Sequence, residues 1–353
     1  MQRCLELAKR GAGLVAPNPM VGAVLVYNEC IIGEGWHQQY GGPHAEANAI
    51  HHAIQSGQKD LSQSTLYVSL EPCAHFGKTP PCADLIIEHK IPKVVIGCRD
   101  PFKEVNGKGI EKLIVAGVTV EVGIMENESK ESNKRFFTFH TQKRPYIILK
   151  WAQTGDGKVA ASSNSSKGGN LNSANSRLLI SNEYSNKIVH QWRSEEAAIL
   201  VGTNTALLDN PELTTRLFPG SSPVRLVIDM NLRLPDSLKL FDRKVKTIVF
   251  NNLKNEESEN LVFYKLESGT EFIPQLLQAF YQLNLLSVLV EGGVKLLQSF
   301  INAGAWDEIR VISNSELQIN DGLTAPVITN AVKMEEQLLL TDKVEIYKQK
   351  NAD

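Results

Sequence analysis

One histidine and two cysteines of this 353-residue chain stand at the spacing of a metal site, and this spacing is the strongest constraint on its fold. His44 follows Pro43, while Cys73 and Cys82 each follow a proline and have eight residues between them. A catalytic zinc takes three protein ligands and keeps a fourth position open, and this trio supplies that number. Because the three side chains stand on separate segments, the fold must bring those segments together around one cation.

Glu46, two residues after His44, is the candidate proton carrier of this site. Residues two apart in the middle of a helix point in different directions, so we place both in the first turn of a helix that Pro43 begins. From there His44 can reach the metal and Glu46 can reach the water beside it. Two thiolates neutralise most of the charge of Zn²⁺, so the metal acidifies water less than an all-histidine site would. A carboxylate can then take the proton and return it to a leaving amine.

Two ordinary alternatives remain open for these residues. A structural zinc site closes its shell with four ligands, and His75 is the candidate for the fourth. The cysteines could also be buried thiols without a metal. Because the histidine, the glutamate and both cysteines occur together, we favour the catalytic site, with His75 lining the substrate pocket. Cys4, Cys30 and Cys98 make the cysteine count odd, and we expect ordinary thiols there and no disulfide framework.

The composition indicates a globular protein of two domains. Hydrophobic residues make up 42% of the chain and the formal net charge is −2, which is ordinary for packed protein. No apolar run approaches the ~18–20 residues of a membrane helix, and no secretory signal is visible, so we predict a cytoplasmic protein. The near-neutral charge argues against long nucleic acid as the partner. The alternative function, a zinc-dependent nucleobase deaminase acting on nucleic acid with an appended domain, requires a basic groove lined by aromatic side chains.

Alternating apolar segments predict an α/β fold. Residues 1–125 follow the order β-hairpin, α, β, α, β, α, β after a first helix, which indicates a sheet with helices on its faces. Apolar periodicity fades over residues 126–144, where we predict a boundary helix and a connector. A second domain is expected over 145–353, with strands at 146–152, 197–201, 224–228, 247–250 and 287–290 and helices at 183–193, 273–283 and 294–303. The Ser-, Asn- and Gly-rich residues 162–176 are expected to form an exposed loop.

Two segments of the first half resemble one enzyme family. Residues 71–82 are Glu-Pro-Cys-Ala-His-Phe-Gly-Lys-Thr-Pro-Pro-Cys, and residues 16–22 are Ala-Pro-Asn-Pro-Met-Val-Gly. The eight-residue gap between the cysteines differs from the two-residue gap of typical nucleobase deaminases. Both segments resemble the deaminase half of bifunctional riboflavin-biosynthesis proteins. The resemblance implies a cytidine-deaminase-like domain, with a mixed sheet and helices on its faces, over residues 1–125.

For this first half, the resemblance implies zinc-dependent hydrolytic deamination of 2,5-diamino-6-(5-phosphoribosylamino)pyrimidin-4-one at its 2-amino group. It gives zinc ligation to His44, Cys73 and Cys82 and proton shuttling to Glu46. Asn18 matches a position that contacts the pyrimidine. Candidate contacts for polar or phosphate groups are Lys78 and Thr79.

In the second half, residues 201–205 and 209–216 resemble the signature of the same family's reductase. That resemblance implies a dihydrofolate-reductase-like α/β domain that uses NADPH to reduce the ribosyl side chain to ribityl. No Gly-x-Gly-x-x-Gly motif is present, but Gly292 and Gly293 stand between a predicted strand and a predicted helix, where backbone N–H groups can approach a phosphate. Arg193 and Arg216 can supply forked donors to the substrate phosphate, with surface salt bridges as the ordinary alternative.

The resemblance implies the remaining site residues and partners. The implied cofactor contacts are Ala152, Leu179, Thr205, Asp209, Gly293, Val294, Lys295, Leu296 and Leu297. The implied substrate contacts are Asn18, Arg193, Leu213, Arg216 and Glu291, and the last of these faces the sugar. Leu179 stands where the family usually has tryptophan, and Lys150 is a further candidate polar contact. We expect a small-molecule substrate, neither nucleic acid nor membrane as partner, and self-association into a homo-oligomer.

Overall fold

The computed structural model of the protein describes residues 1–58, 60–161 and 178–350. The chain divides into two compact units, Met1–Arg144 and Pro145–Asp353. The loop predicted over residues 162–176 lies outside the described residues. Within those described ranges, every helix is too short or too polar to cross a lipid bilayer.

The first unit is built on a five-stranded mixed sheet with the strand order β2-β1-β3-β4-β5. β1 pairs antiparallel with both β2 and β3, whereas β3, β4 and β5 run parallel. The elements in chain order are α1 (Gln2–Ala8), β1 (Gly22–Tyr27), β2 (Cys30–Trp36), α2 (Ala45–Gln55), β3 (Thr65–Leu70), α3 (Cys82–Glu88), β4 (Lys93–Cys98), α4 (Lys108–Val115), β5 (Thr119–Val122), α5 (Glu126–Ser132) and α6 (Lys134–Gln142). The predicted order and the mixed sheet are confirmed.

Apolar side chains on alternate strand positions explain how the helices cover this sheet. Leu66 and Val68 of β3 and Val94 and Ile96 of β4 are fully buried, and they share one core with apolar residues of α2, α3 and α4. Helix α1 buries Cys4 and Leu7 against Val24 in a separate cluster. Parallel strands covered on both faces are expected to be almost continuously apolar, as β4 is.

Residues 126–144, where a boundary helix and a connector were expected, lie within the first unit and form two helices, α5 and α6. Asn133, between the two helices, is buried, and its side chain bonds both backbone polar groups of Met20. Its Nδ2 donates to the Met20 carbonyl, and its Oδ1 accepts from the Met20 N–H, each at 2.8 Å. The low apolar periodicity of this stretch reflects such polar anchoring, which a hydrophobic pattern does not reveal.

The second unit contains a ten-stranded sheet with the order β11-β12-β10-β9-β8-β13-β6-β14-β17-β16. Its elements are β6 (Tyr146–Thr154), β7 (Lys158–Ala161), α7 (Glu183–Glu195), β8 (Ala198–Gly202), α8 (Thr203–Asp209), β9 (Val224–Ile228), β10 (Thr247–Asn251), β11 (Glu256–Ser258), β12 (Leu261–Lys265), α9 (Phe272–Gln282), β13 (Ser287–Gly292), α10 (Val294–Asn302), β14 (Glu308–Asn314), β15 (Gly322–Thr324), β16 (Ala331–Leu339) and β17 (Asp342–Gln349). The strands from β12 to β14 in this order are parallel, and β11, β17 and β16 are antiparallel additions. The predicted α/β class is confirmed here too.

The chain order places the carboxyl ends of β8, β13 and β6 side by side. After β8 the chain adds β9, β10 and β12 outward, then returns to insert β13 between β8 and β6. Ligands of open parallel sheets bind at such a reversal of strand order, beyond the carboxyl ends of the strands. Helices α9 and α10 pack on one face of the sheet, while α7 packs on the other against Tyr146, Ile148 and Leu289.

Candidate active sites

The three predicted metal ligands meet in the first unit. His44 is the residue before α2 and has extended backbone angles, so its side chain leaves the helix start freely. Cys82 is the first residue of α3, and Cys73 lies in the loop that follows β3. The His44 Nδ1 atom is 3.5 Å from the Cys73 Sγ and 3.4 Å from the Cys82 Sγ. All three ligand atoms lie within 4.8 Å of one another.

These distances fit a tetrahedral zinc ion. A nitrogen and a sulfur at their usual zinc bond lengths are separated by ~3.5 Å across a tetrahedral angle. The backbone N–H of Cys82, at the start of α3, donates to the Cys73 sulfur at 3.4 Å and favours the thiolate. The hydrogen bond with the Cys82 thiol and the nearby His44 together lower the pKa of Cys73 below the usual thiol value. The donor set and its geometry therefore suit zinc.

The alternative fourth ligand, His75, is not part of this cluster. Among the described residues, the group that could hold a metal consists of the histidine and the two cysteines alone. The His75 ring instead lies edge-on to Phe102, with the ring centroids 6.3 Å apart. The geometry therefore favours a site with an open position over a closed structural one.

Glu46 lies beside the three ligands and is shielded from solvent. It is the second residue of α2, and only 3% of its surface is exposed. Burial raises the pKa of its carboxyl group to about 7, and the neighbouring Cys82 sulfur is within hydrogen-bonding reach. A carboxyl group buried beside the metal ligands is suited to carry a proton between reacting atoms.

Asn18 is held by His37, a residue that the sequence analysis missed. The His37 Nδ1 atom lies 3.0 Å from the Pro43 carbonyl oxygen, which can only accept, so Nδ1 carries the proton. Its Nε2 then accepts from the Asn18 Nδ2 at 3.1 Å. This chain of bonds directs the Asn18 Oδ1 away from His37. The one sequence signal for His37 was its place directly after the hairpin strand that ends at Trp36.

The loop that carries Cys73 is fixed from behind by buried Glu71. The Glu71 carboxylate accepts four backbone N–H bonds of 3.0–3.3 Å, from Asp100, Gly107, Gly109 and Ile110. Gly109 passes so close that a Cβ atom there would lie 1.8 Å from the Pro72 carbonyl oxygen. Glycine is required at this position, because any side chain would push the segment that holds Cys73. On the other side of the metal site, the Thr79 Oγ1 is 3.4 Å from the His44 Nε2.

In the second unit, Arg193 and Glu291 form a two-pronged ion pair. The Arg193 Nε and Nη2 atoms donate to the two carboxylate oxygens of Glu291 at 2.8 and 2.6 Å. The side chains are only 12% and 7% exposed. Although burial opposes ionisation, Arg193 and Lys150 hold the pKa of Glu291 at about 2. The two residues were expected to contact separate parts of the substrate, the phosphate and the sugar, and the structure brings them together.

A β-bulge directs the Glu291 side chain toward Arg193. Val290 pairs with Leu200 and Gly292 with Val201, so Glu291 is an extra residue opposite β8. Such a residue leaves the regular alternation of the strand, and its side chain can be directed to a site. Lys150 lies on the neighbouring strand β6. It is close enough to Glu291 to affect the ionisation of the Glu291 carboxyl group.

The second predicted arginine, Arg216, is joined to the same region through Thr214. The Arg193 Nη1 donates to the Thr214 carbonyl at 3.4 Å, and the Arg216 Nη1 donates to the Thr214 Oγ1 at 3.0 Å. Arg216 also pairs with Glu212 at 3.0 Å on the surface. The fork of Arg193 is therefore engaged by Glu291, and Arg216 presents the more exposed guanidinium. Leu213 buries its side chain, so a substrate contact there would involve its backbone.

The predicted cofactor contacts divide into two groups. Thr205 lies against the glycine pair, because a Cβ on Gly292 would be 2.7 Å from the Thr205 Cγ2. Gly293 has φ +83°, and the predicted contacts Val294, Lys295, Leu296 and Leu297 form the first turn of α10 after it. The Leu297 side chain is buried in the core. Ala152 is half-buried on β6, whereas Asp209 and Leu179 lie exposed on the surface.

Comparisons with known proteins agree with the division of the chain into two units. The RibD C-terminal domain family matches residues 145–317, and the cytidine and deoxycytidylate deaminase zinc-binding region matches residues 1–98. The riboflavin biosynthesis protein RibD of Aquifex aeolicus is 42% identical over 320 residues, which cover 88% of this chain and 85% of that protein. RibD of Synechocystis is 37% identical over 351 residues, which cover 97% of this chain and 91% of that protein.

A solved structure is similar over almost the whole chain. The diaminohydroxyphosphoribosylaminopyrimidine deaminase/5-amino-6-(5-phosphoribosylamino)uracil reductase of Thermotoga maritima is 36% identical, with a TM-score of 0.84 over 99% of this chain and 97% of that chain. The zinc-binding region and the reductase region thus occur together and in the same order. With its deaminase and reductase halves, this chain belongs to the RibD family of bifunctional riboflavin-biosynthesis enzymes, which use zinc in the first half and NADPH in the second.

Proposed function

We propose that Glu46 carries the proton during deamination while His44, Cys73 and Cys82 hold the zinc ion. The observation that carries this proposal is the buried Glu46 carboxyl group beside the three converging ligand atoms. When bound, the zinc ion would act as a Lewis acid that activates water. Glu46 accepts a proton from the attacking water and passes it to the departing 2-amino group, so that water adds and ammonia leaves. The product is the corresponding pyrimidinedione.

The Asn18 amide orients the pyrimidine for this attack. Because the His37 Nε2 accepts a hydrogen bond from the Asn18 Nδ2, the Asn18 Oδ1 is available to accept a hydrogen bond from a ring N–H or from an amino group of the pyrimidine. The fixed imidazole removes the choice between the two amide orientations. This arrangement supports the role of Asn18 as a pyrimidine contact.

Replacing Glu46→Gln tests the deaminase half. Gln keeps the shape but cannot carry a proton, so we expect deamination to fall by roughly 10²–10⁴-fold with zinc still bound. Ammonia release and zinc content by elemental analysis are the measurements. Glu34→Gln, on β2 in a half-buried pair with Arg3, is the matched control. Deamination at the normal rate in Glu46→Gln would remove this residue from the mechanism.

In the second half, we propose that Arg216 binds the substrate phosphate and that the pair of Glu291 and Arg193 faces the ribosyl group. NADPH supplies the hydride that reduces the sugar. The turn at Gly292 and Gly293 offers bare backbone N–H groups at the start of α10, where a cofactor phosphate is favoured. The remaining contacts expected for the cofactor are Ala152, Leu179, Thr205 and Asp209. NADPH oxidation with the deaminated substrate is the assay, and Arg216→Gln is expected to raise KM about tenfold or more.

The partner of both halves is a small phosphorylated molecule. We propose that nucleic acid has no part in the reaction, because the net charge of −2 does not favour a polyanion. We propose that the protein acts in the cytoplasm.

We further propose a homo-oligomer. The edge strand β16 is exposed along most of its length and carries Met334 and Leu338, which are 58% and 72% exposed, and Leu340 follows it. An edge strand leaves backbone N–H and C=O groups available to another chain, and these exposed apolar side chains could pack in such a contact. Sedimentation of the wild type against Leu338→Lys tests this, since a monomeric wild type would contradict it.

A further inference from the structure

His190 is a buried residue of the second unit that neither the sequence analysis nor the proposed chemistry uses. It lies on α7 three positions before Arg193, so the two side chains share one face of the helix. Its surface is 5% exposed. The His190 Nδ1 atom accepts a hydrogen bond from the backbone N–H of Arg216 at 2.9 Å. Helix α7 therefore holds, through this imidazole, the residue proposed to bind the phosphate.

The segment that ends at Arg216 needs such anchors, because it has no regular secondary structure. Leu213 has φ +53°, a conformation that non-glycine residues rarely adopt, and its side chain is buried in the core. The Thr215 N–H donates to the Ser222 Oγ at 3.1 Å. Arg193 binds the Thr214 carbonyl from the side of α7. Each residue from 213 to 216 thus has its own anchor, and His190 provides the last one.

The bond requires a neutral imidazole with an unprotonated Nδ1. Burial and the charges of Arg193 and Arg216 lower the pKa of His190 to about 4. The imidazole therefore remains an acceptor at neutral pH, although two guanidinium groups lie close to it. An aliphatic side chain would leave the Arg216 N–H without this acceptor.

We propose that His190 is a positioning residue of the reductase, which fixes the Arg216 backbone so that the guanidinium meets the substrate phosphate. His190 thereby sets the preference of the enzyme for phosphorylated over unphosphorylated substrate. The inference rests on the proposed phosphate role of Arg216. It assigns to His190 no contact with the reacting atoms, so the effect is expected in KM and not in kcat.

The test compares His190→Leu, which removes the acceptor, with His190→Asn, whose Oδ1 can replace Nδ1. NADPH oxidation is measured with the deaminated substrate and with the same compound after removal of its phosphate. For His190→Leu we expect KM for the phosphorylated compound to rise about tenfold, with kcat within about twofold, since one hydrogen bond has this size. KM for the unphosphorylated compound should not change, and His190→Asn should restore the phosphorylated KM to within about threefold. Deamination by the first half of the same chain serves as the internal control.

Arg216→Gln separates the two ideas. If Arg216→Gln leaves KM for the phosphorylated compound unchanged, the proposed phosphate role of Arg216 is wrong. If Arg216→Gln raises this KM but His190→Leu does not, or if His190→Leu raises KM equally for both compounds, the positioning role is wrong. Should His190→Leu fail to fold, His190→Gln is measured against His190→Asn. Equal KM values in these two variants would overturn the inference, and a higher value in His190→Gln would support it.

Discussion

The buried ion pair between Arg193 and Glu291 should make Glu291→Gln costly to the second unit. The carboxylate accepts two short bonds from one guanidinium, and both side chains are almost fully enclosed. The glutamine amide keeps one oxygen acceptor but turns an NH₂ group toward another donor. The variant therefore leaves the charge of Arg193 buried without its counter-charge.

The size of the effect follows from this geometry. Removing one member of a buried pair costs roughly 3–5 kcal/mol, and the retained oxygen places Glu291→Gln near the lower value. In a unit of this size each kcal/mol lowers the unfolding temperature by about 2–4 °C, so we expect a decrease of about 6–12 °C. The exposed pair of Lys254 and Glu256 provides the matched control. Glu256→Gln should cost at most about 1 kcal/mol.

Tryptophan fluorescence during heating is a suitable assay. Three of the four tryptophans, Trp151, Trp192 and Trp306, belong to the second unit, so the signal reports mainly on it. The double variant Arg193→Met, Glu291→Leu removes both charges and should recover much of the lost stability, because well-packed apolar residues can replace such a pair. The reasoning fails if Glu291→Gln and Glu256→Gln unfold at the same temperature. It also fails if the double variant is less stable than Glu291→Gln.

Two further predictions concern stability. Asn133→Ala removes both bonds to the Met20 backbone and should destabilise the first unit by about 3 kcal/mol, whereas Asn127→Ala on the exposed side of α5 should have little effect in urea unfolding. His190 binds a proton near pH 4 when folded but near 6.5 when unfolded, so the unfolded chain holds more protons between these values. Stability of the second unit should therefore fall as the pH decreases from about 6.5 to 4, and His190→Asn should reduce this fall; an identical pH dependence in both proteins would contradict the assignment.

The elements of the first unit up to β5 could be predicted because each carries its own pattern. The hairpin of β1 and β2, the helix after His44 and the parallel strands β3 and β4 have clear apolar periodicity and turn residues between them. The three metal ligands could be named from their residue types and spacing, together with the resemblance to a deaminase family, because they stand at or near the ends of elements. His37 was missed since its role depends on a carbonyl oxygen and an amide that only the folded chain brings to it.

The second unit was predicted less completely: strands β7, β11, β12, β14, β15, β16 and β17 and helix α8 were missed. β16 is exposed on both faces, with Lys333, Glu335 and Glu336 among its apolar residues, so it lacks the alternation of a half-buried strand. It becomes a strand by pairing with β17. Likewise, Arg193 and Glu291 are far apart in sequence, and a bulge sets the direction of Glu291. Strand register and bulges depend on the neighbouring strand, so local sequence does not determine them.

The zinc ligands all fall within residues 44–82, and the groups proposed for the reductase fall within residues 150–297. Each set of reacting groups is thus written in one uninterrupted stretch of the gene. A recombination break near residue 145 would split the gene in two and would leave the zinc ligands together on one part and the reductase groups together on the other. Either half could accordingly be inherited, duplicated or lost as one segment of sequence, with its own set of groups intact.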